Sequence, residues 1–482
     1  MKPNSVVVIG AGPAGLTAAY QLSQHAYHPI VLEQADKVGG IARTENYQGY
    51  RFDIGGHRFY TKVEEVQQLW RLWLQDDFLK VTRLSRIYYR GKFFDYPLSI
   101  RNTLSGLGIL NSSLIVLSYL QAKLKALWRR PDPQTFESWV THCFGQRLYE
   151  TFFKTYTEKV WGISCSQIQA DWAKQRIRGV SLKQAVINAL IRKNNTKSLI
   201  TEFDYPRLGP GMMWEQAQQS VEDRGGQVHC NTPVLALERK GDRISSITIE
   251  RNGQTQQLPV EQVISSMPIT SLLKQLSPAP PTAVLEAAAG LSYRAFMIVT
   301  LIINKPSLFP DQWIYIHDSG YQVGRIQNFK NWSAQLVPDL NKTSLGMEYF
   351  CSEGDNLWQL SQTDLFNLAI QEVERLGFAP ADQVQAGTII RQPKAYPVYD
   401  AGYQDRLQVI REYLSTIKNL QTIGRNGMHR YNNQDHSMLT GLLAAKNILG
   451  EHHDLWQVNT ERSYYEELTV QKQQTSPFEA VV

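Results

Sequence analysis

A short apolar run, Val6-Val7-Val8-Ile9, breaks at Gly10-Ala11-Gly12-Pro13-Ala14-Gly15 and passes into a helical stretch from Leu16 to Leu22. A second apolar run, Ile30-Val31-Leu32, ends in Glu33. Strand, glycine turn, helix, strand and acid in that order make a βαβ unit of the kind that holds a dinucleotide. Gly10 permits the tight turn, Gly12 lets a pyrophosphate approach the backbone, and Gly15 lets helix and strand pack closely. The free N–H groups at the helix N-terminus carry partial positive charge toward the phosphates. Glu33 sits where it can accept hydrogen bonds from a ribose hydroxyl. An ordinary strand-to-helix turn would explain the glycines but not the acid at this spacing.

The chain has 482 residues, enough for two or three domains. Its net charge of +6 comes without a dense basic run, which suits an anionic small molecule and argues against nucleic acid. Cys143, Cys165, Cys230 and Cys351 are scattered, with neither a CxxC pair nor metal-ligand spacing, and are expected as reduced, buried thiols in a cytoplasmic protein that holds no metal. The apolar run after Lys2 belongs to the first strand, so no cleavable signal is read there. Leu104 to Leu120 is interrupted by Gly106, Gly108, Asn111, Ser112, Ser113 and Ser118 and falls short of the roughly 20 apolar residues of a membrane span. A buried helix pair is expected there, with monotopic membrane contact as the minor alternative. No feature sets an oligomeric state.

Farther along, Gly39-Gly40 lets the backbone pass close to a bound cofactor, and Tyr50–Ile54 reads as a strand entering Gly55-Gly56-His57. A second glycine pair followed by histidine at a strand end is more than a turn needs. Arg83 to Tyr96 reads as a hairpin turning at Arg90-Gly91-Lys92, and 98–200 has helical periodicities, among them Ser113–Leu127 and Gln146–Val160. Strands are expected at Gln227–Val228, Val234–Glu238, Ile244–Ile249 and Val263–Ser266, then at Met297–Ile303, Trp313–His317, Val323–Gln327 and Gly346–Cys351. A strand at Leu420–Ile423, a turn at Gly424-Arg425 and a helix from about Ser437 to Leu449 close the chain.

The expected fold class is α/β, a Rossmann-like FAD-binding domain with an inserted helical domain and an antiparallel β-sheet substrate domain. The expected division is 1–82, 201–275 and 395–450 for the cofactor domain, 83–97 and 276–394 for the sheet domain, 98–200 for the insertion, and 451–482 for a tail.

The glycine fingerprint, Glu33, the Gly39-Gly40 pair, the interrupted middle and the returning C-terminal segment resemble the flavoprotein amine-oxidase and glutathione-reductase-like superfamily. Within it the chain resembles the UDP-galactopyranose mutase family, particularly its eukaryotic-type members. Gly55-Gly56-His57 is similar to that family's flavin-face loop. Arg83-Leu84-Ser85 with Asp95-Tyr96-Pro97 resembles its substrate-contacting hairpin. Lys159-Val160-Trp161-Gly162 and Arg176 resemble its helical-domain tryptophan and first arginine, and Arg325 its second. Ala395-Tyr396-Pro397, Tyr431 and Asn433-Gln434-Asp435-His436-Ser437 are similar to its C-terminal signature.

The resemblance implies FAD, held by Gly10, Gly12, Pro13, Ala14, Gly15, Glu33, Gly39, Gly40, Gly55, Gly56, His57, Gly424, Arg425, Gln434, Asp435 and Ser437. It implies a reduced working form, with NAD(P)H as a possible external reductant. The implied reaction interconverts pyranose and furanose forms of a nucleotide-sugar, with the flavin N5 as nucleophile on the anomeric carbon. Arg176, Arg325 and His57 would be catalytic, the arginines clamping the departing diphosphate. Arg83, Ser85, Tyr96, Trp161, Tyr396, Tyr431 and Asn433 would contact substrate. The sequence departs from the family pattern at Leu98, Ser99, Thr157 and Trp332, which places the nucleobase pocket in question. Two other readings stand beside this one. One is a redox flavoenzyme (amine-oxidase, protoporphyrinogen-oxidase-like or desaturase-like), and the other a catalytically silent flavin-binding partner.

Overall fold

The computed structural model describes residues 5–96, 98–128, 134–170 and 202–460. Val6–Ile9 lies at the centre of a five-stranded parallel sheet in the order Leu420–Thr422, Gln262–Ser265, Val6–Ile9, Ile30–Leu32, Gln227–His229. Both faces of its central strand are covered, as a parallel sheet requires. Val6 and Val8 pack into one apolar cluster, Val7 and Ile9 into another. Helix Pro13–Ser23 follows, and helix Gln434–Ile448 packs against it. Their close approach needs Gly441, where a Cβ would lie 2.2 Å from the Ala14 carbonyl oxygen. The two ends of the described chain therefore build one unit.

A second, eight-stranded sheet runs Val384–Ala386, Tyr293–Ile303, Thr343–Cys351, Arg325–Asn328, Trp313–Ile316, Ser85–Tyr89, Lys92–Asp95, with Ile389–Pro397 also paired to Tyr293–Ile303. It is antiparallel except where Ser85–Tyr89 joins Trp313–Ile316 in parallel register. The α/β class with a separate, mainly antiparallel sheet is what the sequence predicts.

Several elements are not visible in the sequence pattern. Gln254–Pro259 is an exposed, Gln-rich edge strand with no apolar alternation to mark it. Ile389–Pro397 is interrupted by Pro393 and by Lys394 at φ +50°. Phe78–Thr82 and Glu202–Pro206 pair with each other in a two-stranded ribbon. The last helix starts at Gln434 rather than near Ser437, because Asn433 takes the extended N-cap conformation. Cys165 and Cys351 are buried, whereas Cys143 and Cys230 are only half-buried.

Between the sheets' contributions lie helices Ile100–Leu107, Ile109–Trp128, Phe136–Phe144, Gln146–Tyr149 and Thr155–Trp161. The single helix predicted over Gln146–Val160 is broken by a wide π turn at Glu150–Lys154. Its last segment is stitched to the large sheet from two directions. Lys159 Nζ donates to the carbonyls of Ile316, Asp318 and Val323, each at 3.1 Å. In return the Arg294 guanidinium caps the helix end, donating to Val160 O at 3.1 Å and Lys159 O at 3.4 Å. Gly162, at φ +68°, leaves room for that guanidinium, since a Cβ there would lie 2.4 Å from Arg294 Nη1.

Candidate functional site

At the carboxyl ends of the parallel strands, where open α/β sheets place ligands, lies a cavity of about 860 Å³. One end is the glycine turn. Gly10 has φ +96°, and a Cβ there would meet Ser266 Oγ at 2.2 Å. A Cβ on Gly12 would touch only Gly40 Cα, at 3.8 Å, so open space lies above it. Gly15 does not line the cavity; a Cβ there would lie 1.8 Å from Gly10 O, so its task is packing. Gly39, at φ +101°, donates its N–H to Ala11 O at 2.8 Å and holds the neighbouring loop against the turn. Helix Pro13–Ser23 has no side-chain N-cap and no acid in its first turn, which leaves its N-terminus electrostatically free for an anion.

Glu33 lines the cavity, but its carboxylate has a second task. Oε2 accepts from Ala11 N at 2.8 Å and Oε1 from Ala35 N at 2.9 Å. It braces the turn as well as facing it. Each oxygen retains a lone pair for a hydroxyl.

Gly55, Gly56 and His57 form another wall. His57 Nδ1 lies 3.1 Å from Gly55 O, which can only accept, so that nitrogen carries the ring proton. The imidazole is walled in by protein and cavity, and burial, then Arg425 and Arg325, drive its pKa down to about 4. His57 is neutral throughout the physiological range.

The strand leading to this loop ends at Asp53, which accepts from Tyr205 OH and from Thr44 Oγ1 at 3.0 Å. Burial pushes Asp53 up to about 7 against these hydrogen bonds. Between its ordinary value near 3.8 and about 7 the native state holds a proton that the unfolded chain has lost. Asp53 therefore stabilises the fold at low pH, and that contribution is lost as pH rises through this window. Asp53→Asn is expected to flatten that part of the stability profile; urea unfolding midpoints measured from pH 4 to 8 check it.

Opposite the glycine wall stand Tyr96, Tyr315, Arg325, Gln327, Tyr396 and Tyr431. Arg325 is held by Glu348, which is fully buried, with Nε 2.5 Å from Oε2; Gln327 Nε2 donates to the other carboxylate oxygen at 2.8 Å. Burial alone would lower the Arg325 pKa, but Glu348 and the surrounding tyrosines reverse this, so the group is firmly cationic. Its terminal nitrogens have no hydrogen-bond partner among the described residues, and Nη2 lies 3.6 Å from the Cβ position of Gly55. Tyr396 and Tyr431 stack at 5.5 Å, with the Arg425 guanidinium 4.6 Å from the Tyr431 ring. Arg425 itself donates to the carbonyls of Asn432 and Ala395.

The closing segment supplies Gly424, Asn433, Gln434, Asp435 and Ser437 to the cavity. Gln434 is buried, and neither its Nε2 nor its Oε1 has a partner among the described residues. A buried amide lacking both a donor and an acceptor partner is costly unless a ligand supplies them. A flat heteroaromatic ring that both donates and accepts, such as a flavin, meets that need. With the open space over Gly12, the available edge of Glu33 and the helix N-terminus, the residues fit FAD.

The structure does not bring every predicted residue to the cavity. Arg176 lies outside the described residues. Trp161 is buried behind the wall, 6.5 Å from Tyr396 and 6.3 Å from Tyr431 between ring centroids. Ser85 is buried in the strand ladder. Arg83 sits between the rings of Tyr96 and Trp313, at 5.4 and 5.6 Å, with all three guanidinium nitrogens buried and without a hydrogen-bond partner among the described residues. Leu98, Ser99 and Thr157 also stay off the cavity; Ser99 is spent capping helix Ile100–Leu107. Trp332 does line it, its Nε1 donating to Gln327 Oε1 at 3.1 Å.

Sequence reasoning missed Tyr315, Gln327 and Glu348. A signal for the last existed. Glu348 is the lone charge in the otherwise uncharged strand Thr343–Cys351, and a buried charge requires a partner.

A sequence signature described as flavin containing amine oxidoreductase matches residues 13–449. The chain is 25% identical over 187 residues to a probable UDP-galactopyranose mutase of Klebsiella pneumoniae, covering 36% of this chain and 45% of that one. It is 25% identical over 179 residues to dTDP-fucopyranose mutase of Escherichia coli, again covering 36% and 45%. The chain thus spans less than half the length of the curated relatives it matches. The crystal structure of a reduced UDP-galactopyranose mutase superposes with a TM-score of 0.82 at 21% identity, covering 96% of this chain and 100% of that one.

Proposed function

The chain belongs to the flavin-containing amine oxidoreductase family, and we propose that within it this protein is a nucleotide-sugar mutase working on reduced FAD. One observation carries the reading. The wall facing the glycine turn is a fixed guanidinium, Arg325, oriented by a buried carboxylate and surrounded by tyrosine hydroxyls. Arg58, Arg391, Lys394 and Arg425 add positive charge around the cavity, against Glu33, Glu353 and Asp435, while Arg43 is paired with Glu45 at 2.6 Å. Burial pushes Asp435 up to about 7, which weakens its share of that opposition. Such a cavity attracts a diphosphate and repels the cationic amine of an amine-oxidase substrate.

When bound and reduced, the flavin supplies a nucleophile and an electron reservoir for cleaving and remaking the anomeric bond without net redox change. The chain's residues do the rest. Arg325 holds the diphosphate and stabilises the charge that grows on it as the sugar leaves. Glu348 and Gln327 fix that guanidinium before substrate arrives, so no reorganisation is needed at the moment of reaction. Tyr96, Tyr396 and Tyr431 offer hydroxyls to phosphate or sugar without adding charge. Neutral His57 would keep Nε2 as an acceptor in the cavity wall and adds no positive charge of its own. Arg176, on the strength of the family resemblance, is the second clamp.

Anaerobic protein reduced with dithionite should convert UDP- or dTDP-linked pyranoses to furanoses, with no conversion by the oxidised form. If nucleotide-sugars leave the flavin spectrum unmoved while an amine or apolar compound bleaches it, the redox reading replaces this one.

A further inference from the structure

Helix Ile109–Trp128, the longest among the described residues of the 98–200 segment, has two unlike sides. One is built into the protein. Ile115 packs on the insertion's core, Ser118 Oγ accepts from Arg147 N at 3.2 Å, and Gly145 sits so close that a Cβ would lie 2.8 Å from Tyr119 N. The other side is apolar and uncovered. Ile109 is 89% exposed, Leu110 76%, Leu117 54% and Leu124 58%, with Val116 and Leu120 close behind. At about 100° per residue these six fall within an arc of about 120°, opposite the packed side. Gly108, at φ +81° with open space around it, turns the chain so that Ile109 and Leu110 stand at a vertex.

The charges around this stripe select its partner. From Tyr96 to Pro131 the sequence contains Arg101, Lys123, Lys125, Arg129 and Arg130 and no acidic residue. Lys125 is exposed on one border of the stripe, while Lys123, on the other, turns back to the protein, its Nζ donating to His142 O at 3.4 Å and lying over the Tyr119 ring. A second copy docking through this face by two-fold symmetry would set the same basic helix against itself, with no acid on that helix to offset the charge. An anionic surface meets both the basic border and the stripe. Among the described residues no helix is long and apolar enough to cross a membrane.

We propose that this face docks the protein on an anionic phospholipid bilayer, Ile109–Leu124 entering the headgroup boundary with Lys125 on lipid phosphates. Apolar area and basic charge together set the strength of such in-plane binding. The helix pair is tied to the cavity wall. Ser99 Oγ, the cap of its first helix, donates to Asp95 Oδ2 at 2.6 Å, and Asp95 adjoins Tyr96. Docking would therefore hold the cavity beside the bilayer.

The full-length flavoprotein floated with phosphatidylcholine–phosphatidylglycerol vesicles should co-migrate with them, and much less with phosphatidylcholine alone or in high salt. Leu117→Glu with Leu124→Glu should cut the bound fraction about tenfold while leaving flavin content and thermal midpoint unchanged. Lys125→Gln should reduce the preference for the anionic vesicles. No co-migration, or co-migration untouched by these substitutions, overturns the proposal. A dimer in sedimentation that the leucine substitutions dissociate overturns it in favour of a second copy.

Discussion

Arg325→Ala should lower turnover of the reduced protein by about 10²–10³-fold, the usual loss when one pre-placed charge stabiliser is removed, while bound flavin stays stoichiometric. The same change strands Glu348, buried and without its cation, and should cost about 3–5 kcal/mol of stability. These two effects can be separated. Adding Glu348→Gln removes the orphan charge, so the double variant should regain most of the stability and none of the turnover. Urea unfolding, flavin-to-protein ratio and turnover number on the same three proteins check this. Activity that returns along with stability would mean that Arg325 only holds the sheet together.

The second large effect concerns the glycine turn, where two glycines separated by two residues should fail in different ways. Gly15→Ala places a methyl 1.8 Å from the Gly10 carbonyl oxygen, between helix and strand, so little folded protein is expected. Gly12→Val places its branches in open space above Gly40, so the protein should fold with a near-normal melting temperature and emerge colourless. Circular dichroism with absorbance near 450 nm (roughly where oxidised flavins absorb, as cofactor chemistry dictates) distinguishes the two. A yellow Gly12→Val protein would place the pyrophosphate elsewhere.

Much of this site was legible from local pattern, because the features that build it are local. Gly10 to Glu33 encodes strand, turn and helix within thirty residues, and Gly55-Gly56-His57 marks a strand end by composition alone. What escaped is what depends on partners far apart in sequence. Glu348 meets Arg325 only across neighbouring strands, and Tyr315 reaches the cavity only through the parallel pairing of Trp313–Ile316 with Ser85–Tyr89. Trp161 illustrates the opposite case. Its motif points to the site, yet tertiary packing sets it behind Tyr396 and Tyr431, where it shapes the wall without facing the cavity. Glu33 was read for its place at the strand end, while its two backbone partners follow from the turn's three-dimensional course.

The seam at Lys159 bears on how such an insertion could be exchanged. Each side of it completes the other: the ammonium fills three carbonyls of the sheet's loop, and Arg294 of the sheet fills the carbonyls at the helix end. A graft that moved the helical segment alone would part the lysine from the three carbonyls that hold it here, and leave Arg294 with Ser352 but without the helix end it caps. The transferable cassette is therefore discontinuous, comprising the helices together with residues 316–323 and Arg294. Chimeras cut at the apparent insertion boundaries should assemble poorly, whatever the quality of either half.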